Sequence, residues 1–208
     1  MSLVLRYHPW SRSAGTVWAL EELGQPYELD YVDMQAGDHK KPHVTDHNPM
    51  GKLPLLLDGD VAVTEAAAIA VYLADKYSLG TLAPALDAPE RATYLRWCFY
   101  PAAVIEPACM AHGMKWEYNP GSAGFGTYEA MLDTVEHAIG EGPWLLGDTF
   151  SMADVVFGGT VRWMVGFKML EPRPAFLAYI ERLSARPAAQ RAAEINERWT
   201  AEKGLKRG

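Results

Sequence analysis

Two serines near the beginning of the chain stand where a short apolar strand gives way to a helical pattern. Ser11 and Ser13 follow the apolar residues 2–7 and precede a helix that is predicted to end before Gly24. A hydroxyl at this position can cap the helix by accepting a hydrogen bond from a free amide. It can also donate its own proton in a hydrogen bond. The pattern leaves both roles open, and they are compatible.

A second candidate site is a proline at the start of a predicted strand. Leu53 and Pro54 open the segment Leu53–Leu57, although a proline cannot donate to a β-ladder. A cis Leu53–Pro54 bond is one resolution, because it turns the amide and carbonyl of Leu53 outward, where an extended peptide ligand could pair with them. A peptide-binding edge beside Leu53 is therefore one interpretation of the segment, which the residues alone leave open.

Eleven residues after Pro54 comes Glu65, in the first turn of an alanine-rich helix predicted over 64–77 with Thr64 as its cap. A carboxylate beside free helical amides can bind the ammonium group of a ligand, while the amides bind a ligand carboxylate. The alternative interpretation is that Glu65 only complements the helix dipole. Both remain open from the residues alone.

The elements that must position these groups alternate between strand and helix in the first eighty residues. Apolar patterning predicts the order β-α-β, an irregular connection, then β-β-α, which makes a mixed sheet covered by helices. An Asp58-Gly59-Asp60 turn predicts that the last two strands form a hairpin. The predicted strands are 2–7, 27–34, 53–57 and 61–63.

Beyond the exposed linker predicted at 80–89, helical periodicity replaces strand patterning. Pro101 and Pro107 are expected to kink or break the first helical segment, because each lacks an amide donor. A capping box is predicted at Ser151-Met152-Ala153-Asp154. We therefore predict an α/β domain over 1–79 and an all-α domain over 90–208, with helices at 90–118, 127–140, 151–167, 174–184 and 187–200.

Composition excludes several classes of function. The chain has 19 Lys and Arg against 26 Asp and Glu, a formal charge of −7, so we expect no nucleic-acid partner. Its apolar stretches are broken by charges before the roughly 20 residues that a membrane span needs, and no export signal opens it, so we expect no membrane partner and a cytoplasmic location. Cys98 and Cys109 are expected to be core thiols. His39, His43 and His47 recur every four residues, but Pro42 interrupts any shared helix, so no metal site is expected.

Taken together, three motifs resemble the cytosolic glutathione transferase family, in particular its serine-type, bacterial-like members. They are Gly51-Lys52-Leu53-Pro54, the helix start Glu65-Ala66-Ala67-Ala68-Ile69, and Trp144 to Asp154, in that order and with a linker between the second and third. The resemblance spans nearly the whole chain. It implies a thioredoxin-like N-terminal domain, an all-helical C-terminal domain, glutathione as ligand and a homodimer.

The resemblance also implies roles for individual residues. Pro54 matches the family's cis-proline and Leu53 its backbone partner for the cysteinyl residue of glutathione. Ser11 matches the catalytic serine best, Ser13 lies one slip away, and Tyr7 would serve in a tyrosine-type member. The γ-glutamyl end would meet Glu65 and the amide of Ala66, where the family usually has serine, so we expect binding weaker by about 0.5–1.5 kcal/mol. Further ligand contacts are implied for Lys52 and His39 at the glycine end and for Arg12 near the thiolate.

The implied function is conjugation of the glutathione thiolate to a small apolar electrophile held against Trp10, Tyr100, Met110, Met114 and Trp116. Two other functions remain open. One is a glutathione-dependent isomerase or dehalogenase. The other is a non-catalytic binding module of the same fold, which the alanine at position 66 motivates.

Overall fold

A four-stranded mixed sheet forms the first part of the chain. The computed structural model of the protein describes residues 3–140 and 142–206. The sheet has the strand order β2-β1-β3-β4, with β2 parallel to β1 and the other two neighbouring pairs antiparallel. This is the predicted β-α-β and β-β-α order. The strands are β1 (Leu3–Tyr7), β2 (Tyr27–Tyr31), β3 (Leu55–Asp58) and β4 (Val61–Thr64).

Three strands differ in extent from their predictions. The fourth continues to Thr64, so the prediction that Thr64 caps the following helix is wrong. The second stops at Tyr31, three residues early, because the chain turns there and the Asp33 carboxylate accepts a hydrogen bond from the Ala36 amide. The third begins at Leu55, since Pro54 has no amide to donate to the ladder. The hairpin turn falls at the predicted Asp-Gly-Asp. Ser2, with which the first predicted strand begins, lies outside the described residues.

Helices α1 (Ser13–Leu23) and α3 (Ala66–Tyr77) accompany the sheet, and a short α2 (Pro42–Thr45) lies in the irregular connection. The prediction that Glu65 lies in the first turn of α3 is wrong. Glu65 has a φ of 68°, in the left-handed region, and therefore stands before the helix, although its carbonyl accepts the first helical hydrogen bond from the Ile69 amide at 2.9 Å. Pro42 separates α2 from the 3-10 turn Asp38–Lys40, as its sequence position predicted.

The later part of the described chain is helical. The predicted break is confirmed: α4 ends at Tyr100, Pro101–Ile105 forms a π-helical segment, and Pro107 lies in the first turn of the helix that follows. No helix among the described residues is long and apolar enough to cross a bilayer. The α-helices of this later part are α4 (Arg91–Tyr100), α5 (Glu106–Gly113), α6 (Tyr128–Ile139), α7 (Met152–Gly166), α8 (Pro174–Ser184) and α9 (Pro187–Glu202).

By their internal contacts the residues form two compact units, Met1–Leu73 with Arg186–Gly208, and Ala74–Ala185. The first unit thus includes α9, which packs on α1. Arg186 reaches Glu22 through two bonds of 2.7 Å. The division into domains at 1–79, 80–89 and 90–208 stays a prediction, since compactness alone does not define a unit that folds by itself.

The core of the second unit contains the predicted capping box and both cysteines. Asp154 is 0% exposed and accepts hydrogen bonds from the amides of Ser151 and Leu145 and from the hydroxyl of Tyr179. Cys98 and Cys109 are buried and free, which confirms them as core thiols. Burial raises the pKa of Cys98 to about 12 and that of Cys109 to about 11, so both thiols stay protonated at neutral pH.

Candidate functional site

Strand register brings the two serines, the Leu53–Pro54 dipeptide and Glu65 to one end of the sheet. Arg6 of β1 pairs with Leu55 of β3, and Leu55 pairs in turn with Thr64 of β4. The segment that follows β1, the Leu53–Pro54 dipeptide that precedes β3 and the Glu65 turn that follows β4 therefore leave the sheet at the same edge. The serines, the proline and the carboxylate, which are far apart in sequence, share one end of the first unit.

A compact hydrogen-bond network surrounds the two serines. The Ser11 and Ser13 hydroxyl oxygens lie 2.6 Å apart, and the carbonyl of His8 is within 2.9 Å of the first and 3.1 Å of the second. The amide of Ser13 donates to the Ser11 oxygen at 3.1 Å, and the amide of His8 donates to the Ser13 oxygen at 3.0 Å. The network folds the segment between β1 and α1 into a tight turn.

The two hydroxyls differ in what they can reach. Ser13 is 0% exposed and its oxygen is committed to the His8 backbone, whereas Ser11 is only half-buried. Because the Ser11 oxygen already accepts the Ser13 amide, its proton is free to rotate from the His8 carbonyl toward a ligand. Neither serine is the N-cap of α1. The N-cap is Arg12, because the helix begins at Ser13. Ser13 is therefore the first helical residue, and Ser11 lies one residue before the cap.

His8 is a site residue that the sequence reasoning missed. Its side chain is 3% exposed, and Nδ1 accepts a hydrogen bond from the Trp10 amide at 3.1 Å, which requires an unprotonated Nδ1. Burial lowers the pKa of His8, against a smaller opposing effect of Asp33. The neutral ring thus shapes the turn that carries Ser11. The sequence signal for His8 was a polar residue directly after the alternating strand and three positions before Ser11.

Tyr7 is directed away from any role as a thiol donor. It is fully buried, and its hydroxyl donates to the side-chain oxygen of Asn196 on α9. Its ring meets Trp199 edge-on, with centroids 5.9 Å apart. Burial raises the pKa of Tyr7, with Arg198 opposing, so the phenol stays protonated. The tyrosine therefore belongs to the packing between β1 and α9.

At the neighbouring strand, the expected cis Leu53–Pro54 bond is present. The Leu53 side chain is buried with Val32, Val44 and Leu55 in a small apolar cluster. Its own amide and carbonyl lie outside the β-ladder and bond to no other group in residues 3–140 and 142–206. A peptide backbone can therefore pair with Leu53 without displacing an internal hydrogen bond.

Lys52 and His39 are brought close by the glycine between Met50 and Lys52. Gly51 has a φ of 60°, and a Cβ on it would lie 2.5 Å from the His39 carbonyl oxygen, so only glycine fits this approach. The Lys52 side chain is exposed, while its carbonyl accepts the Asn48 side-chain amide at 3.0 Å. His39 Nδ1 is buried without a partner among the described residues. The segments that carry Lys52 and His39 thus meet at Gly51.

Glu65 and Ala66 form the last part of the edge. A left-handed backbone at a non-glycine residue is costly and is often retained at binding sites. The turn leaves the Glu65 side chain exposed at the start of α3, beside the first amides of that helix. Ala66 offers an amide but no hydroxyl. The arrangement can hold a ligand that carries an ammonium and a carboxylate side by side.

Comparison with known proteins identifies the family. The sequence models of two families, "Glutathione S-transferase, N-terminal domain" and "Glutathione S-transferase, C-terminal domain", match residues 9–76 and 102–182. Glutathione S-transferase 1 of Triticum aestivum is 30% identical in an alignment of 202 positions that covers 83% of this chain and 84% of the wheat protein. The chain belongs to the glutathione transferase family. Glutathione S-transferase F14 of Arabidopsis thaliana is 29% identical over 86% of this chain and 77% of its own length.

Solved structures of glutathione transferases share the fold. That of Methylococcus capsulatus has a TM-score of 0.77 at 30% identity, with 94% of this chain and 98% of the other covered. That of Phanerochaete chrysosporium in complex with oxidized glutathione has a TM-score of 0.79 at 26% identity, with 95% and 97% covered. The expected fold class, a thioredoxin-like α/β part followed by an all-α part, is thereby confirmed.

Within this glutathione transferase, the remaining sequence-predicted residues occupy varied positions. Arg12 is half-buried at the start of α1, and Trp10 is half-buried in the same turn. In the second unit, Tyr100 is half-buried, and three apolar side chains at and beyond α5 are exposed: Met110, Met114 and Trp116. Large apolar side chains left exposed in this way are available to an apolar ligand.

Proposed function

We propose that the protein is a glutathione transferase that binds glutathione at the shared edge of the sheet and attacks an apolar electrophile with its thiolate. The observation that carries this proposal is the convergence of the half-buried Ser11 hydroxyl, the open Leu53 backbone and the Glu65 turn on that edge. Relatives named glutathione S-transferases support it.

In the proposed complex, glutathione lies extended along the edge. The Leu53 amide and carbonyl pair with its cysteinyl residue, and the Glu65 carboxylate binds the γ-glutamyl ammonium. The Ala66 amide, at the positive end of the α3 dipole, binds the γ-glutamyl carboxylate. Lys52 and His39 serve the glycine carboxylate, which their shared turn at Gly51 favours.

The proposed chemistry is a modest shift in the thiol pKa. A free thiol has a pKa of about 8.5, so half-ionisation at about pH 7 needs about 2 kcal/mol of preferential stabilisation of the thiolate. A hydroxyl that donates to a charged group contributes about 1.5–3 kcal/mol, and the nearby start of α1 adds about 0.3–1 kcal/mol. Ser11 therefore suffices as donor, with Ser13 holding it in place. The half-buried Arg12 adds positive charge near the sulfur.

The setting of this activity is also a proposal. The exposed Met110, Met114 and Trp116 of the second unit suit an apolar electrophile, and conjugation of such compounds would serve detoxification in the cytoplasm. The family resemblance implies a homodimer. Exposed apolar side chains such as Phe99 and Met50 are consistent with a covered surface in such an assembly.

The test is a conjugation assay with a chloro-dinitrobenzene as electrophile. We expect the wild-type protein to accelerate conjugation, and Ser11→Ala to lower kcat about ten- to 150-fold, the equivalent of one hydrogen bond to a charged group. Ser11→Thr keeps a hydroxyl and should retain most of the rate. A wild-type protein without glutathione-dependent rate enhancement would refute the proposal. If Ser13→Ala lost the rate while Ser11→Ala kept it, the role would pass to Ser13.

A further inference from the structure

One side chain of the C-terminal helix binds both flanks of the turn that carries Ser11. The Asn196 side-chain oxygen accepts the hydroxyl proton of Tyr7, the last residue of β1. Its side-chain nitrogen donates to the carbonyl of Ala14, in the first turn of α1, at 3.3 Å, and to the carbonyl of Ala192 at 2.7 Å. Two carbonyl acceptors and one hydroxyl donor match the amide's two donors and one acceptor and so fix its orientation.

The same face of α9 supports the turn a second time. Trp199, three residues beyond Asn196, stacks on Tyr31 with ring centroids 5.6 Å apart and planes 4° from parallel. Tyr31 in turn lies against His8, with centroids 5.5 Å apart. The strand end, the helix start and the ring of His8 are therefore all braced by one helix that contributes no ligand group of its own.

The position of the Ser11 oxygen depends on these flanks. Its partners are the His8 carbonyl, one residue after Tyr7, and the amide and hydroxyl oxygen of Ser13, one residue before Ala14. A hydrogen bond weakens steeply as its angle closes, and displacements of about 1 Å caused by distant substitutions can lower catalysis about a hundredfold. If the end of β1 and the start of α1 separate, the orientation of the Ser11 hydroxyl changes before the protein unfolds.

We propose that Asn196 is a positioning residue, which holds the ends of β1 and α1 together so that the Ser11 hydroxyl points at the glutathione sulfur. This inference rests on the proposed function. Asn196 acts through Ser11 and does not itself touch the substrate. The C-terminal helix is then a working part of the glutathione-binding unit.

A second contact of α9 allows the positioning role of Asn196 to be tested separately from its effect on stability. Arg186, at the N-cap of α9, binds Glu22 near the end of α1, far along the helix from the serine turn. Replacing Arg186 therefore loosens α9 on α1 without removing a contact to Tyr7 or Ala14. Arg186→Met is the matched control for Asn196→Ala.

The experiment measures the thermal midpoint of each variant, the pKa of the bound glutathione thiol from its ultraviolet absorbance, and kcat and KM. For Asn196→Ala we expect the thiol pKa to rise by about half to one unit and kcat below that pKa to fall about three- to tenfold, with KM for glutathione within about twofold. Arg186→Met should lower the thermal midpoint and leave the thiol pKa unchanged. In a Ser11→Ala background, Asn196→Ala should cause no further shift.

Tyr7→Phe keeps the ring against Trp199 and removes only the hydroxyl, so it supplies a second variant should Asn196→Ala fold poorly. It should raise the thiol pKa in the same direction by a smaller amount. A thiol pKa that is lowered in the wild type and equally lowered in Asn196→Ala or Tyr7→Phe would overturn the positioning role and leave the proposed function standing. Equal shifts in Arg186→Met would also overturn it. A wild-type complex with no lowered thiol pKa would refute the proposed function first.

Discussion

At the scale of single residues, the site depends on the hydrogen bonds that two hydroxyl groups make. The hydroxyls of Ser11 and Ser13 each lie within hydrogen-bond distance of the His8 carbonyl and of each other. The buried oxygen of Ser13 is held by the His8 amide, which leaves the Ser11 proton as the one that a thiolate can recruit. The motif around the serines was readable from the sequence. For His8 the sequence offered only a polar residue directly after the first strand, because its importance comes from burial and from a local contact to Trp10 that spacing does not reveal.

His8 makes the stability of the protein depend on pH. Burial lowers its pKa below the ordinary 6.5, so the unfolded chain takes up a proton more readily than the folded protein. Its contribution to stability is therefore present above about pH 6.5 and is lost as the pH falls through that value toward the folded pKa. We predict that the free energy of unfolding of the wild type falls between about pH 7 and about pH 5, by at most about 1.4 kcal/mol per pH unit from this group.

The measurement is urea unfolding of His8→Asn against the wild type across that pH range. Asparagine can accept the Trp10 amide as an Asx turn does, but it has no proton to gain. The variant should show a flatter pH dependence. The exposed His137 on α6 provides the control, His137→Asn. Parallel pH profiles for His8→Asn and wild type would contradict the prediction.

At the scale of elements, the positions of turns and helix ends along the chain were predicted better than the packing of one element on another. The hairpin turn, the helix break at Pro101 and the capping box of α7 follow from local chemistry, and each is present. The docking of α9 on α1 was not predicted. Periodicity over 187–200 shows which side chains share a face, but not that the face meets Tyr7 and Glu22. The left-handed Glu65 also escaped prediction, because it reflects the surroundings and not a residue preference.

The capping box gives a prediction at this scale. Asp154 accepts four hydrogen bonds in a fully buried site, and these oppose the burial that raises its pKa. Asp154→Ala leaves the amides of Leu145 and Ser151 and the Tyr179 hydroxyl without an acceptor. We expect it to lower the free energy of unfolding by at least about 3 kcal/mol.

Denaturant unfolding checks this, with two reference variants. Ser151→Ala removes the other half of the box and should cost about 1 kcal/mol. Asp148→Ala replaces a nearby exposed aspartate and should change stability by less than about 0.5 kcal/mol. If Asp154→Ala proved no more costly than Asp148→Ala, the box would have no part in holding α7.

At the scale of the whole molecule, the groups of the proposed site come from segments spread over residues 8 to 66 and lie at one edge of the sheet. Helix α9, much later in the chain, packs against β1 and α1, which flank the serine turn. Sequence motifs were sufficient to suggest the family and a glutathione site, because each feature of the proposed site is local: a proline, a helix start, a serine turn. They were insufficient to rank Ser11 against Tyr7 by geometry, since that ranking depends on Asn196, which is 189 residues from Tyr7.

The proposed homodimer is a prediction about the molecule as a whole. Sedimentation equilibrium at micromolar concentrations should give twice the chain mass of 23.0 kDa. The physical reason is that exposed apolar side chains such as Phe99 and Met50 gain by leaving water. A species of single-chain mass at every concentration would contradict it.

The proposed role of the Ser11 hydroxyl is to lower the thiol pKa of glutathione bound beside Leu53. An ultraviolet titration of the thiolate in the binary complex measures this pKa directly, with wild type and Ser11→Ala compared at saturating glutathione. We expect a pKa at least about one unit below the free value of about 8.5 for the wild type, and a return toward that value in Ser11→Ala. A bound thiol that titrates like free glutathione in the wild type, or identically in both proteins, would contradict it.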